Sequence, residues 1–140
     1  MTPDLPEALV IGREREYLSW FYESFSCRRG AITADDIDEY LRCYRQLGAL
    51  RAGFAYYRNI PVDQADNRAA FDAGFRLTMP VLALGGARTE ARGRGEEPLE
   101  SLRLIATDVR GGVIPDCGHF IPEEQPELLA EALLEFFAAN

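Results

Sequence analysis

His119 is the only histidine in the sequence, and it follows Cys117 and Gly118 in a polar stretch between two apolar segments. A histidine gains and loses a proton near neutral pH, which suits it to general acid–base catalysis. If the segment before it is a strand of a parallel sheet, His119 lies where α/β enzymes place their ligands. On spacing alone, a structural or surface histidine remains the alternative interpretation.

Tyr56 and Tyr57 are the other side chains that could take part in a reaction. A tyrosine hydroxyl can donate to a developing oxyanion or a leaving group, whereas aromatic residues at helical spacing more often form a core. Glu90 and Glu96 are the loose candidates for an acid that would orient His119. The sequence has no Gly-x-Ser-x-Gly motif, nor the same motif with Asp or Cys at its centre, so no nucleophile accompanies the histidine.

The composition excludes several classes of function. All fifteen basic residues are arginines, which rules out a lysine Schiff base and a P-loop lysine. The net charge of -8 disfavours nucleic acid as a partner. No apolar run reaches the roughly 18 residues that span a bilayer. Three widely spaced cysteines and one histidine predict a cytoplasmic protein with no metal and no cofactor.

The first half of the sequence predicts helices. Apolar residues recur at helical spacing over 5–25, with Gly12 as a weak point that allows either two helices or one. Thr33 followed by Asp35 and Asp36 predicts an N-cap and a first helical turn. A further helix is expected from Ala49 to about Asn59, and polar residues 61–72 are typical of a linker.

The second half of the sequence predicts an α/β unit. The apolar run 79–84, closed by Gly85 and Gly86, is typical of a strand buried on both faces. An arginine- and glycine-rich loop over 87–95, a helix over 96–107 and a second strand over 109–114 follow. A loop over 115–126 and a final helix complete the chain. Strand, helix, strand and helix in this order predict a parallel βαβα unit.

Five stretches of the sequence resemble one family in the right order along nearly the whole chain: 12–21, 39–44, 50–58, 79–86 and 117–127. They look like the C-terminal half of α/β-hydrolase-fold enzymes, in the branch of epoxide hydrolases and fluoroacetate or haloalkane dehalogenases. The resemblance implies a helical cap over 1–60, a linker over 61–78 and the last part of the hydrolase core over 79–140. The two strands would be the last two of the family's sheet.

The resemblance also implies roles for individual residues. His119 would be the base that activates water to hydrolyse an ester intermediate. Tyr57, or Tyr56 if the register shifts by one, would be the cap tyrosine that polarises an epoxide oxygen or binds a departing halide, and Phe120 would help to bind the substrate. Glu90 is the weak candidate for the acid. The nucleophile elbow of the family has no counterpart in the sequence.

Two hypotheses follow. The first is a truncated α/β-hydrolase that acts on small epoxides, haloacids or esters in its full-length family and is inactive when alone. The second is a non-catalytic interaction module, or one half of a split hydrolase. In either case the apolar strand 79–84 would have an open edge, which predicts a homodimer or a complementary chain. A helical regulatory domain would explain the first half of the sequence but not the two strands.

Overall fold

The computed structural model describes residues 4–139. Seven α-helices and two β-strands lie in these residues, and one 3₁₀ turn follows the first strand. In chain order the elements are α1 (Leu5–Val10), α2 (Glu14–Phe25), α3 (Ala34–Tyr44), α4 (Ala49–Asp72), β1 (Val81–Gly86), the 3₁₀ turn (Thr89–Ala91), α5 (Glu97–Arg103), β2 (Val109–Ile114), α6 (Ile121–Glu124) and α7 (Pro126–Ala138).

The chain divides into two compact units. Among the described residues, the helical unit consists of those up to Phe21 together with Thr33–Gly74, and the α/β unit consists of Tyr22–Ile32 together with those from Phe75 onward. These bounds differ from the division expected at residues 60 and 78, because the short segment Tyr22–Ile32 joins the later part of the chain. Helix α2 runs through the boundary between the two units.

The helical unit is built on α4 and has a small apolar core. Val10, Leu50 and Phe54 are buried together, and Tyr17 packs against them. Of the two alternatives left open for 5–25, the structure has two helices, because Gly12 breaks the segment with a φ of 82° that residues other than glycine rarely adopt. Thr33 caps α3 as predicted, and Asp36 completes a reciprocal capping box with it.

The α/β unit contains a parallel two-stranded sheet. Val81 pairs with Val109 and Gly86 pairs with Ile114, which confirms both predicted strands and their direction, and β1 begins two residues later than expected. Helix α5 contacts both strands and buries Leu99, while α7 contacts β2. The fold class is therefore α/β, with a helical region followed by a parallel βαβα unit.

The prediction of a linker over 61–72 is wrong, because α4 continues through Pro61 to Asp72. Proline removes one backbone donor from a helix interior, but Ala65, Ala69 and Ala70 have high helix propensity. Side-chain pairs at i and i+4 add support, with Arg68 bonded to Asp72 and Asn59 to Asp63.

Two predicted loops contain more order than expected. Residues 87–95 include the 3₁₀ turn, and backbone hydrogen bonds fix both ends of the segment: Arg88 N donates to Cys117 O and Gly95 N donates to Gly86 O, each at 2.9 Å. Residues 121–124 form α6 within the stretch predicted as a loop. Within residues 4–139, no helix is both long and apolar enough to cross a bilayer.

Candidate functional site

His119 lies in a short loop between β2 and α6. After β2 ends at Ile114, Asp116 takes a positive φ of 46° and turns the chain, and Cys117 becomes fully buried. The carbonyl oxygen of Cys117 accepts the backbone N–H of Arg88, so the segments that follow the two parallel strands are joined. The sequence-based expectation that His119 follows a strand of a parallel sheet is confirmed.

A buried carboxylate holds the His119 loop in place. Glu124 is fully buried, and its Oε1 accepts the backbone N–H groups of Gly118 at 3.0 Å and Phe120 at 3.1 Å. Its Oε2 accepts the N–H groups of Cys27 at 2.7 Å and Arg28 at 3.1 Å. One side chain therefore binds the amides on either side of His119 and the turn after α2. We call this arrangement the Glu124 clamp.

The clamp is electrostatically favourable even though it buries a charge. Burial raises the pKa of the Glu124 carboxyl, but hydrogen bonds from Cys27, Arg28 and Gly118 lower it by more. The net pKa therefore lies below the ordinary value, and the carboxyl is ionised at neutral pH. A carboxylate that accepts several backbone N–H groups is stabilised in this way because the donors replace the lost water.

The imidazole of His119 is exposed, while its backbone is anchored. His119 N donates to the carbonyl oxygen of Phe25 at 2.9 Å. The imidazole lies edge-on to the Phe25 ring, with centroids 5.8 Å apart, and to the Phe120 ring at 5.1 Å. Phe120 in turn packs against Tyr22 at 5.5 Å. The loop thus presents an accessible imidazole between two aromatic rings.

Two glycines allow the close approach of these segments. A Cβ atom at Gly118 would lie 2.5 Å from the carbonyl oxygen of Phe25, and one at Gly86 would lie 2.0 Å from the carbonyl oxygen of Gly118. Both distances are too short for a real side chain, so larger residues would push the His119 loop away from β1 and from Phe25. The glycine that closes β1 therefore helps to position the histidine.

No carboxylate within residues 4–139 accepts a hydrogen bond from the imidazole of His119. Glu90 is exposed and lies 3.7 Å from Arg88, which also bonds Asp116 at 3.1 Å. Its role as the orienting acid is not supported by this geometry and stays a prediction. Arg88, Glu90 and Asp116 line an open cavity of about 510 Å³. The other residues that line it are Ser24, Ser26, Cys27, Arg28 and Ala91.

Tyr56 and Tyr57 lie on α4 in the helical unit, and both are exposed, at 73% and 59%. Their rings contact each other edge-on, with centroids 5.9 Å apart. The next residue, Arg58, donates to both carboxylate oxygens of Glu7 at 2.7 Å, which ties α4 to α1. The Arg58 hydrogen bond lowers the pKa of the Glu7 carboxyl, so the pair is charged at neutral pH.

The part of the chain that the structure describes contains no group of three or more histidine, cysteine or carboxylate side chains able to hold a metal ion. The arrangement that remains is a single exposed imidazole on a rigid loop. Such a group can accept a proton from water or from a neighbouring hydroxyl, but it has no nucleophile beside it.

Comparison with known proteins gives a consistent assignment. A soluble epoxide hydrolase from Corynebacterium sp. strain C12 is 31% identical over 97% of this chain and 46% of its own length. The solved structure of epoxide hydrolase CorEH matches 99% of the chain with a TM-score of 0.86 and 31% identity, over 47% of its length. Cfl2 from Burkholderia cenocepacia matches 97% of the chain with a TM-score of 0.84 and 40% identity, over 45% of its length. No protein-family model matches the sequence.

By sequence and by fold, the chain matches part of an α/β-hydrolase of the epoxide hydrolase branch. The resemblance stated from the five sequence stretches is thereby confirmed. The chain spans less than half the length of these epoxide hydrolase relatives. The roles of His119, Tyr57, Tyr56, Phe120 and Glu90 stay predictions within that assignment.

Sequence reasoning did not identify Glu124 as a functional residue. It is one of two glutamates between Pro122 and Pro126, where a solvated carboxylate is the ordinary expectation. The one available signal was its position five residues after His119. Its partners, Cys27 and Arg28, are almost one hundred residues away in sequence and could not have been found from local patterns.

We expect Glu124→Gln to destabilise the α/β unit. The glutamine would place an NH₂ group against two backbone N–H donors, leaving them buried without acceptors, which costs about 2–4 kcal/mol in total. Chemical denaturation followed by circular dichroism measures the loss in free energy of unfolding.

The matched control for this substitution is Glu131→Gln, at an exposed position of α7. The folded pKa of Glu124 lies below its unfolded value, so the stabilisation is present above about pH 4.3. It is lost as the pH falls through the folded pKa, and the two proteins should then converge. Equal stability of Glu124→Gln and wild type at pH 7 would contradict the clamp.

We expect the three cysteines to react with iodoacetamide at very different rates. Cys43 is exposed, whereas Cys117 is buried and its pKa is raised to about 11, chiefly by burial. Burial also raises the pKa of Cys27. The reactive thiolate is therefore scarce at pH 8 for Cys117. Peptide mass spectrometry should show Cys43 labelled first and Cys117 last; labelling of Cys117 as fast as Cys43 would mean that its loop is open.

Proposed function

We propose that this chain supplies the catalytic base and part of the cap of an α/β-hydrolase that opens epoxides. The observation that carries the proposal is the exposed imidazole of His119, on a loop that a buried carboxylate holds at the end of a parallel strand. The named activity of the relatives favours an epoxide over the haloacids and esters that the resemblance also allows.

In the proposed reaction, an acidic nucleophile attacks a carbon of the epoxide and the ring oxygen leaves. The Tyr57 hydroxyl donates a hydrogen bond to that oxygen as negative charge develops on it, and passes its proton to it. His119 then takes a proton from water, and the water oxygen attacks the ester carbonyl. The ester C–O bond breaks, the leaving diol oxygen takes the proton from His119, and the proton of the carboxylic acid so formed returns to the Tyr57 oxygen, which regenerates the carboxylate. The nucleophile has to come from outside these 140 residues, because the sequence contains no nucleophile elbow.

The Glu124 clamp supports this role because base catalysis depends on geometry. A general base has to stay within hydrogen-bond reach of the water that it activates, and small displacements cost rate. The clamp binds the amides of Gly118 and Phe120 on both sides of His119, and the backbone of His119 is itself bonded to Phe25. The loop is rigid, and the imidazole is left free to contact a ligand.

A non-catalytic interaction module is the second candidate function, and it is favoured by the edge of β1 that has no partner strand in the described part of the chain. In an interaction module, unlike in the proposed hydrolase, His119 would have no chemical role. Activity measured in a protein that also contains a nucleophile separates the two candidates.

We expect the purified chain alone to hydrolyse no epoxide, since covalent catalysis requires the nucleophile. A chimera in which this chain replaces the matching 46% of the Corynebacterium enzyme should hydrolyse styrene oxide. In that chimera, His119→Gln should lower turnover at least about 100-fold. Tyr57→Phe should lower it on the order of 10-fold or more. Product formation is measured by chromatography of the diol.

Tyr56→Phe tests the alternative register, because the two tyrosines are neighbours on α4 and both are exposed. A loss of turnover confined to Tyr57→Phe assigns the hydrogen bond to Tyr57, whereas a loss confined to Tyr56→Phe assigns it to Tyr56. A folded chimera with no activity, or one whose activity survives His119→Gln, would contradict the proposal. Hydrolysis by the unfused chain that His119→Gln abolishes would show that the nucleophile is not required.

A further inference from the structure

Arg92 lies in the loop after β1, next to the His119 loop. The residue before it, Ala91, is buried, and a Cβ atom at Gly118 would lie 2.9 Å from the Cβ atom of Ala91. The guanidinium carbon of Arg92 lies 5.2 Å from the centroid of the Phe25 ring, in a cation–π contact. The His119 imidazole packs against the same ring. Phe25 therefore contacts both a cation and the proposed base.

The backbone at Arg92 has a conformation that residues other than glycine seldom adopt. Its φ of 59° and ψ of 17° lie in the left-handed region. Arg92 N donates to Thr89 O at 3.1 Å, and Gly93 N donates to Arg88 O at 2.9 Å. A Cβ atom at Gly93 would lie 2.4 Å from Gly86 O, so this loop packs closely against the end of β1. These contacts fix the direction in which the Arg92 side chain leaves the backbone.

The Arg92 guanidinium is exposed and forms no ion pair with a carboxylate in the part of the chain that the structure describes. The neighbouring arginines of the same loop are paired, Arg88 with Asp116 and Arg94 with Glu97. A guanidinium has five N–H donors in a planar fork that matches the two oxygens of a carboxylate. The donors of Arg92 are therefore available to a ligand beside the proposed base.

We propose that Arg92 makes the site selective for substrates that carry a carboxylate next to the epoxide ring. This inference rests on the proposed function. The chain has a net charge of -8, so an anion is repelled by most of its surface and attracted only where a positive charge is not neutralised. Two parallel hydrogen bonds from one guanidinium to the carboxylate would also orient the ring relative to His119.

A carboxylate fits this position better than a phosphate group. A carboxylate carries one negative charge, which one guanidinium neutralises. A phosphate monoester carries close to two at neutral pH, and the other arginines of the loop, Arg88 and Arg94, are already paired with carboxylates. The arrangement therefore favours a monoanionic substrate.

The test compares glycidate with glycidamide as substrates of the chimera, at low ionic strength. The two epoxides differ in one group, a carboxylate against a neutral amide. Arg92→Gln should lower the ratio of kcat/KM for glycidate to kcat/KM for glycidamide at least about 10-fold, because hydrogen bonds to a charged group are lost. Arg92→Gly should do the same, and glycine adopts this backbone conformation without strain. Circular dichroism checks that each variant is folded.

Arg103→Gln is the matched control, because it removes the same charge from an exposed arginine in the last turn of α5. Helix α5 leads to the start of β2, whereas His119 follows the end of that strand. The ratio for Arg103→Gln should stay within about twofold of the unsubstituted value, because solvent and salt screen a distant charge. A ratio that Arg92→Gln leaves unchanged, or that Arg103→Gln lowers equally, would overturn the proposal.

Binding to the full chain tests the inference separately from the proposed function. Cyclopropanecarboxylate resembles glycidate but has no ring oxygen and does not react, and cyclopropanecarboxamide is its neutral counterpart. We expect the acid, and not the amide, to shift the carbon-13 signals of the Phe25 and His119 rings, with at least about 10-fold weaker binding in Arg92→Gln. An inactive chimera would refute the proposed function, and this titration then decides the inference: equal binding of the acid to Arg92→Gln and wild type would refute it.

Discussion

The structure of the α/β unit depends on one buried carboxylate. Glu124 joins two segments of this unit that are distant in sequence, since it binds the turn at Cys27 and Arg28 and the loop around His119. Four backbone donors converge on two oxygens, which is enough to keep a charge in a site that water does not reach. If the carboxylate were lost, four backbone amides would lose their acceptor, and the loop would keep only backbone hydrogen bonds such as that from His119 N to Phe25 O.

Several residues around the Glu124 clamp together position His119. Gly86 and Gly118 allow the segments to approach, Glu124 binds them, and the imidazole of His119 is left exposed between Phe25 and Phe120. The charge that stabilises the loop is separate from the group proposed to do chemistry. Separating the two is physically sensible, because a base that also held the loop together would move whenever it changed protonation state.

Sequence patterns predicted the elements whose signals are local. The two strands followed from short apolar runs with glycines, the N-cap from Thr33 and the acids after it, and the position of His119 from the strand before it. The predictions that were wrong concern segments whose structure depends on contacts with distant residues or on several side chains acting together. Alanines and i,i+4 pairs carried α4 through Pro61, and the backbone hydrogen bonds of Arg88 and Gly95 ordered a segment whose composition is typical of a flexible loop. The role of Glu124 depends on partners so distant in sequence that no local pattern could reveal it.

The most direct test of this account is the titration of the Glu124 carboxyl by carbon-13 NMR in the full chain. Burial alone would move its midpoint above the ordinary glutamate value of about 4.3, whereas four hydrogen bonds to the ionised form move it below. We expect a midpoint below that value, with the amide protons of Gly118 and Phe120 shifting over the same pH range. A midpoint above it, or amides that do not respond, would mean that the carboxylate does not hold the His119 loop.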